Sequence, residues 1–577
     1  MLNIKKQIAE KILEKVKNIN PDAPLDAGEL MGMLEYPPDA EMGDLAFPCF
    51  KLSRTLRMAP PKIAEAISDG FELDCVAKAC AVNGYFNIFL DGSYMGKTVA
   101  AEILEKKEKY GAPDIGGGKT VVLDYSSPNL AKPFHIGHLG TTVIGHSLKK
   151  LHEFAGYKCV GINYVGDWGT QFGKLIVAFK KWGNREDVEK NGIDALVDLY
   201  VRINNAISGN EELGIEADPK LADEARAEFL KMEQGDEENL ALWRWLVEKT
   251  LKANDEIYRQ LGITFDSYKG ESCYTDKMPA QVQKLRDQEL LKIDDGASIV
   301  DLSEYGMPPC LILKRDGSSL YPTRDIAAAV DRKEMYDFDK CIYVTSAGQS
   351  LHFAQWFKVV ELMGYDWYDK LVHVPYGTVS INGAKLATRT GNVILLRDLF
   401  AQAIEKVTDI MNEKNPDLAG KEKIAEQVGV GAIVFYYLSN NRIRDINFMM
   451  EDALSFEGNT GPYVQYTYAR TCSVISKAGD IVLGDISVTC DEEATLLKTL
   501  ARFEETVRDA IDTYEPSVIT RYILDVAGAF NRFYHNCTIL GAEDEKVKSS
   551  RVALTKAANI VLKSAFGLIC LAAPEKI

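Results

Sequence analysis

The chain has 577 residues, 46% apolar and 26% charged, with 44 Gly and 20 Pro. That is a globular composition for roughly three or four domains, and it excludes collagen-like, low-complexity and wholly disordered classes. Its 67 basic and 84 acidic side chains leave a net charge of -17, which argues against general polyanion binding but not against a local basic groove for nucleic acid.

The first block, 1–112, opens on an amphipathic helix with Ile4, Ile8, Ile12 and Val16 set among lysines, Glu10 and Glu14, unlike a signal or transit peptide. Pro-rich turns at 36–39 and 59–61 follow, then a strand-like run at 84–90. Residues 111–118 are a Gly/Pro breaker cluster and the clearest linker. The second block, 113–415, starts with a short apolar run, 120–125, of the kind that fills a buried parallel strand. A turn at 126–129, a helix over about 136–156 and a second strand at 158–165 predict a right-handed crossover unit of an α/β fold. Charged helical sequence and a mixed stretch occupy about 180–309, with 224–248 read as a solvated helix face. Strand-like runs return at 310–313, 341–344 and 371–374, so this region is an insertion within one nucleotide-fold domain. The last block, 416–577, is helix-periodic and rich in aromatics. The longest strongly apolar run, Val428 to Leu438, is far below the ~20 residues of a membrane helix. The eleven Cys form no CxxC pair and His is scarce at seven, so neither a disulfide framework nor a structural zinc is expected, and reduced cytoplasmic thiols are the reading.

The sharpest chemical signal is Ser126-Ser-Pro-Asn-Leu-Ala-Lys-Pro-Phe-His-Ile-Gly-His138, placed after a strand and leading into a helix. A helix N-terminus has unpaired N–H groups and partial positive charge, which favours phosphate. His135 and His138, three apart, share a face of the first turn and can donate hydrogen bonds to phosphate oxygens without a metal. Gly137 leaves room for a flat adenine ring. Alone, the motif also fits two incidental histidines with Gly137 as a packing device.

In context the sequence resembles the class I aminoacyl-tRNA synthetases, and among them the arginyl-tRNA synthetases. The Ser-Ser-Pro-Asn turn, Lys132, and Asn163-Tyr-Val-Gly-Asp-Trp-Gly-Thr-Gln-Phe-Gly173 carry the likeness. So do Gly43-Asp-Leu-Ala46, Tyr321-Pro-Thr-Arg-Asp-Ile-Ala327, Gly348-Gln-Ser-Leu-His-Phe353 and Gly458-Asn-Thr-Gly-Pro-Tyr-Val-Gln-Tyr466. The likeness spans essentially the whole chain. It implies a Rossmann-like α/β catalytic domain with a helical insertion, an α+β N-terminal domain contacting tRNA, and an all-helical anticodon-binding domain. The implied activity joins L-arginine to tRNA(Arg) through arginyl-adenylate. ATP with Mg²⁺ as its counterion is a substrate, no structural zinc is expected, and a monomer is the expectation, although the sequence itself does not give the oligomeric state. His135, His138 and Lys132 would be catalytic.

A guanidinium substrate calls for planar, hydrogen-bonding anions. Tyr321 and Asp325, four apart at a helix start, and Glu271 are the candidates, while the resemblance gives the α-amino end to Ser127, Asn129 and Gln349. A loop at 381–392 would supply cationic charge to the departing pyrophosphate through Lys385, Thr388, Arg389 and Gly391, with Gly137 also on ATP. Thr390 stands where many relatives carry a second lysine, and Lys132 would compensate. Gly140 and His146 stand where relatives commonly carry Arg and Asp, altering the charge of the helix. Rival readings are a class I synthetase for another amino acid, which would not need Asp325 and Glu271 together, and a non-catalytic tRNA-binding relative, which would not need the histidines.

Overall fold

The computed structural model describes every residue except Pro133, Asp316, Ser319, Asn382, 386–393, Asp480 and Asp485, with the backbone alone at 40, 384 and 385. The opening helix, Leu2–Ile19, buries Ile4, Ile8, Ile12 and Val16 as its periodicity predicts. It belongs to a block containing an antiparallel sheet in which Tyr85–Leu90 lies between Leu45–Pro48 and Val76–Val82. This block is tied to the C-terminal helices. The Met1 ammonium donates to the Ala501 carbonyl at 2.8 Å, and Lys5 and Lys498 pair with Glu505 and Asp44 across the contact.

Four parallel strands form the catalytic sheet, in the order Leu371–Tyr376, Lys340–Ser346, Thr120–Asp124, Lys158–Ile162. Both faces are covered, so Val121, Val122 and Leu123 are fully buried, and the near-continuous apolar run is explained. The chain winds outward from Thr120–Asp124 in both directions. A crevice therefore opens at the carboxyl edge beside that strand, where open α/β sheets bind ligands. The helix Leu139–Phe154 packs under the sheet, with Gly145 leaving room for the Tyr125 ring.

The insertion holds helices Thr170–Trp182, Ile193–Ser208, Lys220–Glu233 and Glu237–Leu261 around their own apolar core. The stretch 224–248 is thus two helices broken at Gly235 (φ 84°), not one solvated face, and Leu242 and Leu246 are buried. A second departure concerns 310–313. Cys310–Leu313 joins Leu291–Asp294 and Ala297–Val300 in a small antiparallel sheet and has no place in the parallel one. Leu311 is half exposed there, as a one-sided sheet allows.

After Leu396–Lys414 the chain is a packed set of helices from Lys421–Leu438 to Glu545–Leu568. One short strand interrupts it: Ile446–Phe448 pairs in parallel with Val379–Ile381, which also pairs with Ala384–Lys385. Among the described residues no helix is long and apolar enough to cross a membrane.

Candidate active site

The strand Thr120–Asp124 ends on a buried carboxylate held by Arg332 at 2.8 Å. Burial pushes the Asp124 carboxyl up, opposed by Arg332 and the Ser127 hydroxyl. Ser126 (φ 70°) and Ser127 (φ 47°) then take left-handed backbone conformations in succession. Each costs on the order of 1–3 kcal/mol for a residue with a side chain. Six hydrogen bonds offset that cost. Ser126 N–H donates to Thr141 Oγ1 (3.0 Å), and its hydroxyl meets the Tyr258 and Thr142 hydroxyls (2.7 and 2.8 Å). Ser127 N–H donates to Asn163 Oδ1 (3.1 Å), and its hydroxyl donates to Asp124 (2.8 Å) and accepts from Tyr164 N–H (3.2 Å). At ~1 kcal/mol net each, they are enough to hold the turn. Asn129 follows in a one-residue parallel bridge to Gly166.

The histidine turn is a single 3₁₀ turn, Ile136–His138, leading into Leu139–Phe154. Gly137 N–H donates to His135 Nδ1 (3.0 Å), and His135 N–H donates to His138 Nδ1 (3.1 Å). A ring nitrogen that accepts from an amide carries no hydrogen, so in each ring the proton sits on Nε2, which is a donor. Burial pushes His135 down to about 4, helped by the Lys132 charge. Burial and His135 push His138 down to about 3. Both rings are neutral at neutral pH and present N–H donors, with 4.1 Å between centroids and His138 stacked on Phe134. Lys132 supplies the cationic charge beside them. The turn is also stitched to 394–396: Ile136 N–H donates to the Ile394 carbonyl (3.4 Å) and Leu396 N–H to the Phe134 carbonyl (3.2 Å), with a His135–Leu395 bridge. Residues 394–396 therefore lie against the histidine turn, while Lys385 sits in the short strand Ala384–Lys385. Thr388, Arg389 and Gly391 lie outside the described residues.

Tyr321 and Asp325 occupy the first two turns of the helix Tyr321–Tyr336, as their spacing predicts. Tyr321 is exposed, whereas Asp325 accepts from His352 Nε2 at 2.6 Å. Glu271 is held by Arg324 Nη1 at 2.6 Å. Its carboxyl is pushed up to about 7 by burial, with Arg324 opposing and Asp325 and Asp167 adding to the rise. Glu271, Tyr321 and Arg324 line an open cleft of about 950 Å³ with Trp168 and Thr170. Asp325 interacts electrostatically with both Glu271 and Asp124, and so links the cleft to the serine turn. Gln349 is exposed at the carboxyl end of Lys340–Ser346, in the turn Ala347–Gln349.

Reasoning from sequence did not weigh Asp124, Arg324, Arg332 or His352. Arg324 sits inside the quoted Tyr-Pro-Thr-Arg-Asp run, and a charged residue closing the apolar run at 124 was a usable signal. The two departures in the helix are packing features. A Cβ on Gly140 would run into the Tyr437 hydroxyl and the Tyr376 ring. His146 is buried, shares a 2.9 Å hydrogen bond with the Tyr125 hydroxyl, and is pushed down to about 3 by burial, so it carries no charge.

A parallel sheet whose first strand feeds a strained turn and a His-Ile-Gly-His helix start is the arrangement of a class I aminoacyl-tRNA synthetase. Family models agree. Residues 99–450 match "tRNA synthetases class I (R), catalytic domain", 464–577 the DALR anticodon binding domain, and 3–90 the arginyl tRNA synthetase N terminal domain. The chain belongs to the arginyl-tRNA synthetase family. It is 48% identical to the arginine–tRNA ligase of Alkaliphilus metalliredigens and 47% identical to that of Clostridioides difficile, each over 580 aligned positions covering all of both chains. The arginyl-tRNA synthetase structure from Thermus thermophilus superposes with a TM-score of 0.83 at 25% identity, over 99% of this chain and 100% of that one.

Proposed function

We infer that this chain attaches L-arginine to tRNA(Arg) in two steps. The arginine carboxylate attacks the α-phosphorus of ATP, giving arginyl-adenylate and pyrophosphate. A ribose hydroxyl at the tRNA 3′ end then attacks the arginyl carbonyl, and AMP leaves. No side chain acts as nucleophile; positioning and charge stabilisation do the work. The observation that carries the reading is the pair of neutral histidines fixed as Nε2–H donors at a helix start, in a chain of this family.

His135 and His138 would hold phosphate oxygens in the transition state, and Gly137 would let adenine approach the backbone. Lys132, with Lys385, Thr388, Arg389 and Gly391, would neutralise the departing pyrophosphate, which travels with Mg²⁺ as the nucleotide's counterion. Ser127, Asn129 and Gln349 would hold the amino end of arginine. Tyr321, Asp325 and Glu271 would face its guanidinium, with Arg324 and His352 presenting the two carboxylates until substrate arrives. The helices after 416 would read the anticodon, and the block 1–112 would contact the body of the tRNA. The enzyme would work as a cytoplasmic monomer. Charging of tRNA with each standard amino acid tests the reading. Arginine alone should yield acid-stable, base-labile aminoacyl-tRNA, and charging with any other amino acid at a comparable rate would overturn it.

A further inference from the structure

Outside the active site, and among the described residues, one cluster combines soft and hard metal-ligating groups. Cys490 precedes the helix Asp491–Ala501, and Cys537 directly follows Ser517–Asn536. They are 47 residues apart in sequence, yet their sulfurs lie 3.3 Å from each other. A Glu492 carboxylate oxygen completes a set whose ligand atoms all lie within 4.8 Å of one another. No sequence spacing announces this set, which is assembled by the packing of two helix ends.

We propose that Cys490, Glu492 and Cys537 form a zinc site in the helical C-terminal block. The spacing favours a metal over a covalent bond. Zinc–sulfur bonds of about 2.3 Å in a tetrahedron put two sulfurs roughly 3.8 Å apart, whereas a disulfide requires about 2.05 Å. The pair must therefore open by ~0.5 Å to take zinc but close by more than 1 Å to oxidise. The surroundings also fit. Asn536 Nδ2 donates to Glu492 Oε1 at 2.9 Å, orienting the carboxylate and leaving its other oxygen for the ion. Two thiolates and a carboxylate around Zn²⁺ leave one net negative charge. The Arg551 guanidinium is close enough to interact electrostatically with both cysteines and offsets part of it, its charge being shared with Glu493. Arg551 is held there by Glu493 (2.7 Å) and the Thr538 carbonyl (2.8 Å). Both thiols lose their protons to solvent on binding, and water fills the fourth position on the partly exposed Cys490 side. The ion would clamp the start of one helix to the end of another within the region matching the anticodon-binding domain.

The test uses the full-length protein, reduced and stripped with a chelator, then titrated with zinc chloride against a chromophoric competitor. We expect one zinc per chain with Kd below ~1 μM. Cys490→Ser should weaken it by ~100-fold and Glu492→Gln by ~10-fold, while Cys80→Ser, in the N-terminal sheet, should leave it unchanged. Cobalt(II) should give a thiolate charge-transfer band that Cys490→Ser abolishes, with unchanged circular dichroism showing that the variant is folded. Equal zinc binding by Cys490→Ser and the parent would overturn the proposal. So would a fully reduced protein that binds no zinc, whether or not peroxide afterwards joins Cys490 to Cys537.

Discussion

Asp325→Asn tests the proposed arginine pocket most directly. The Asp325 carboxylate is about one-fifth exposed and, among the described residues, receives one hydrogen bond, from His352 Nε2 at 2.6 Å, which leaves Oδ1 and the second lone pair of Oδ2 for a guanidinium fork. Two charge-assisted hydrogen bonds at roughly 1.5–3 kcal/mol each give ~3–6 kcal/mol. Coulomb's law at an effective dielectric of 20 gives ~4 kcal/mol for unit charges 4 Å apart. Both figures predict a loss of ~10²–10⁴ in kcat/KM for arginine when the charge is removed, with the KM for ATP within about two-fold. The unsubstituted enzyme should show the matching selectivity. Citrulline keeps the shape but turns an acceptor oxygen toward an anion, and should be rejected by ~10³ or more; lysine, which lacks the fork, should also fail. Canavanine keeps the fork, and its discrimination should be only ~10–100-fold. Steady-state charging with these amino acids on both proteins decides the matter. If citrulline rivals arginine, or Asp325→Asn keeps arginine activity, Asp325 does not face the guanidinium.

Lys132→Ala should lower kcat for adenylate formation by ~10²–10³, the effect of losing one preorganised transition-state contact, and leave the KM for arginine nearly unchanged; normal single-turnover rates would assign the lysine to packing. Glu271 is pushed up to about 7, so it binds a proton as pH falls below 7 and loses its attraction for a cation. The KM for arginine should therefore rise about ten-fold per pH unit below that point, and Glu271→Gln should give a weaker but flat profile; a flat profile in the parent would place Glu271 outside the pocket. Gly140→Ala trades a helix gain of ~1 kcal/mol for overpacking of 1–3 kcal/mol against Tyr437. It should lower Tm alone and recover in part when combined with Tyr437→Phe, which removes the hydroxyl but leaves the ring Cζ 2.8 Å from the added Cβ; equal melting of the single and double variants would refute the steric account.

Strands filled from both faces were legible as apolar runs, because burial on two sides leaves no polar alternation, and Thr120–Asp124 and Lys340–Ser346 fall where those runs lie. The same signal misled at 310–313, because four apolar residues carry no information about which sheet they enter. Ile446–Phe448 was invisible, since three residues of alternation do not stand out from helical sequence. At the site, His135, Gly137 and His138 were legible because local geometry and phosphate chemistry act within one turn. The Asp124–Arg332 and Glu271–Arg324 pairs, like the Cys490–Cys537 contact, join segments that only the fold brings together. Periodicity and spacing cannot report such pairs.

ATP–pyrophosphate exchange measured with each standard amino acid, with and without tRNA, tests the central claim most directly. The geometry and family predict exchange with arginine alone. If the proposed phosphate loop is short of a cation at Thr390, exchange should also depend on added tRNA. Robust exchange with arginine and ATP alone would contradict the tRNA dependence. Exchange driven by another amino acid, or none with arginine even when tRNA is present, would contradict the assignment itself.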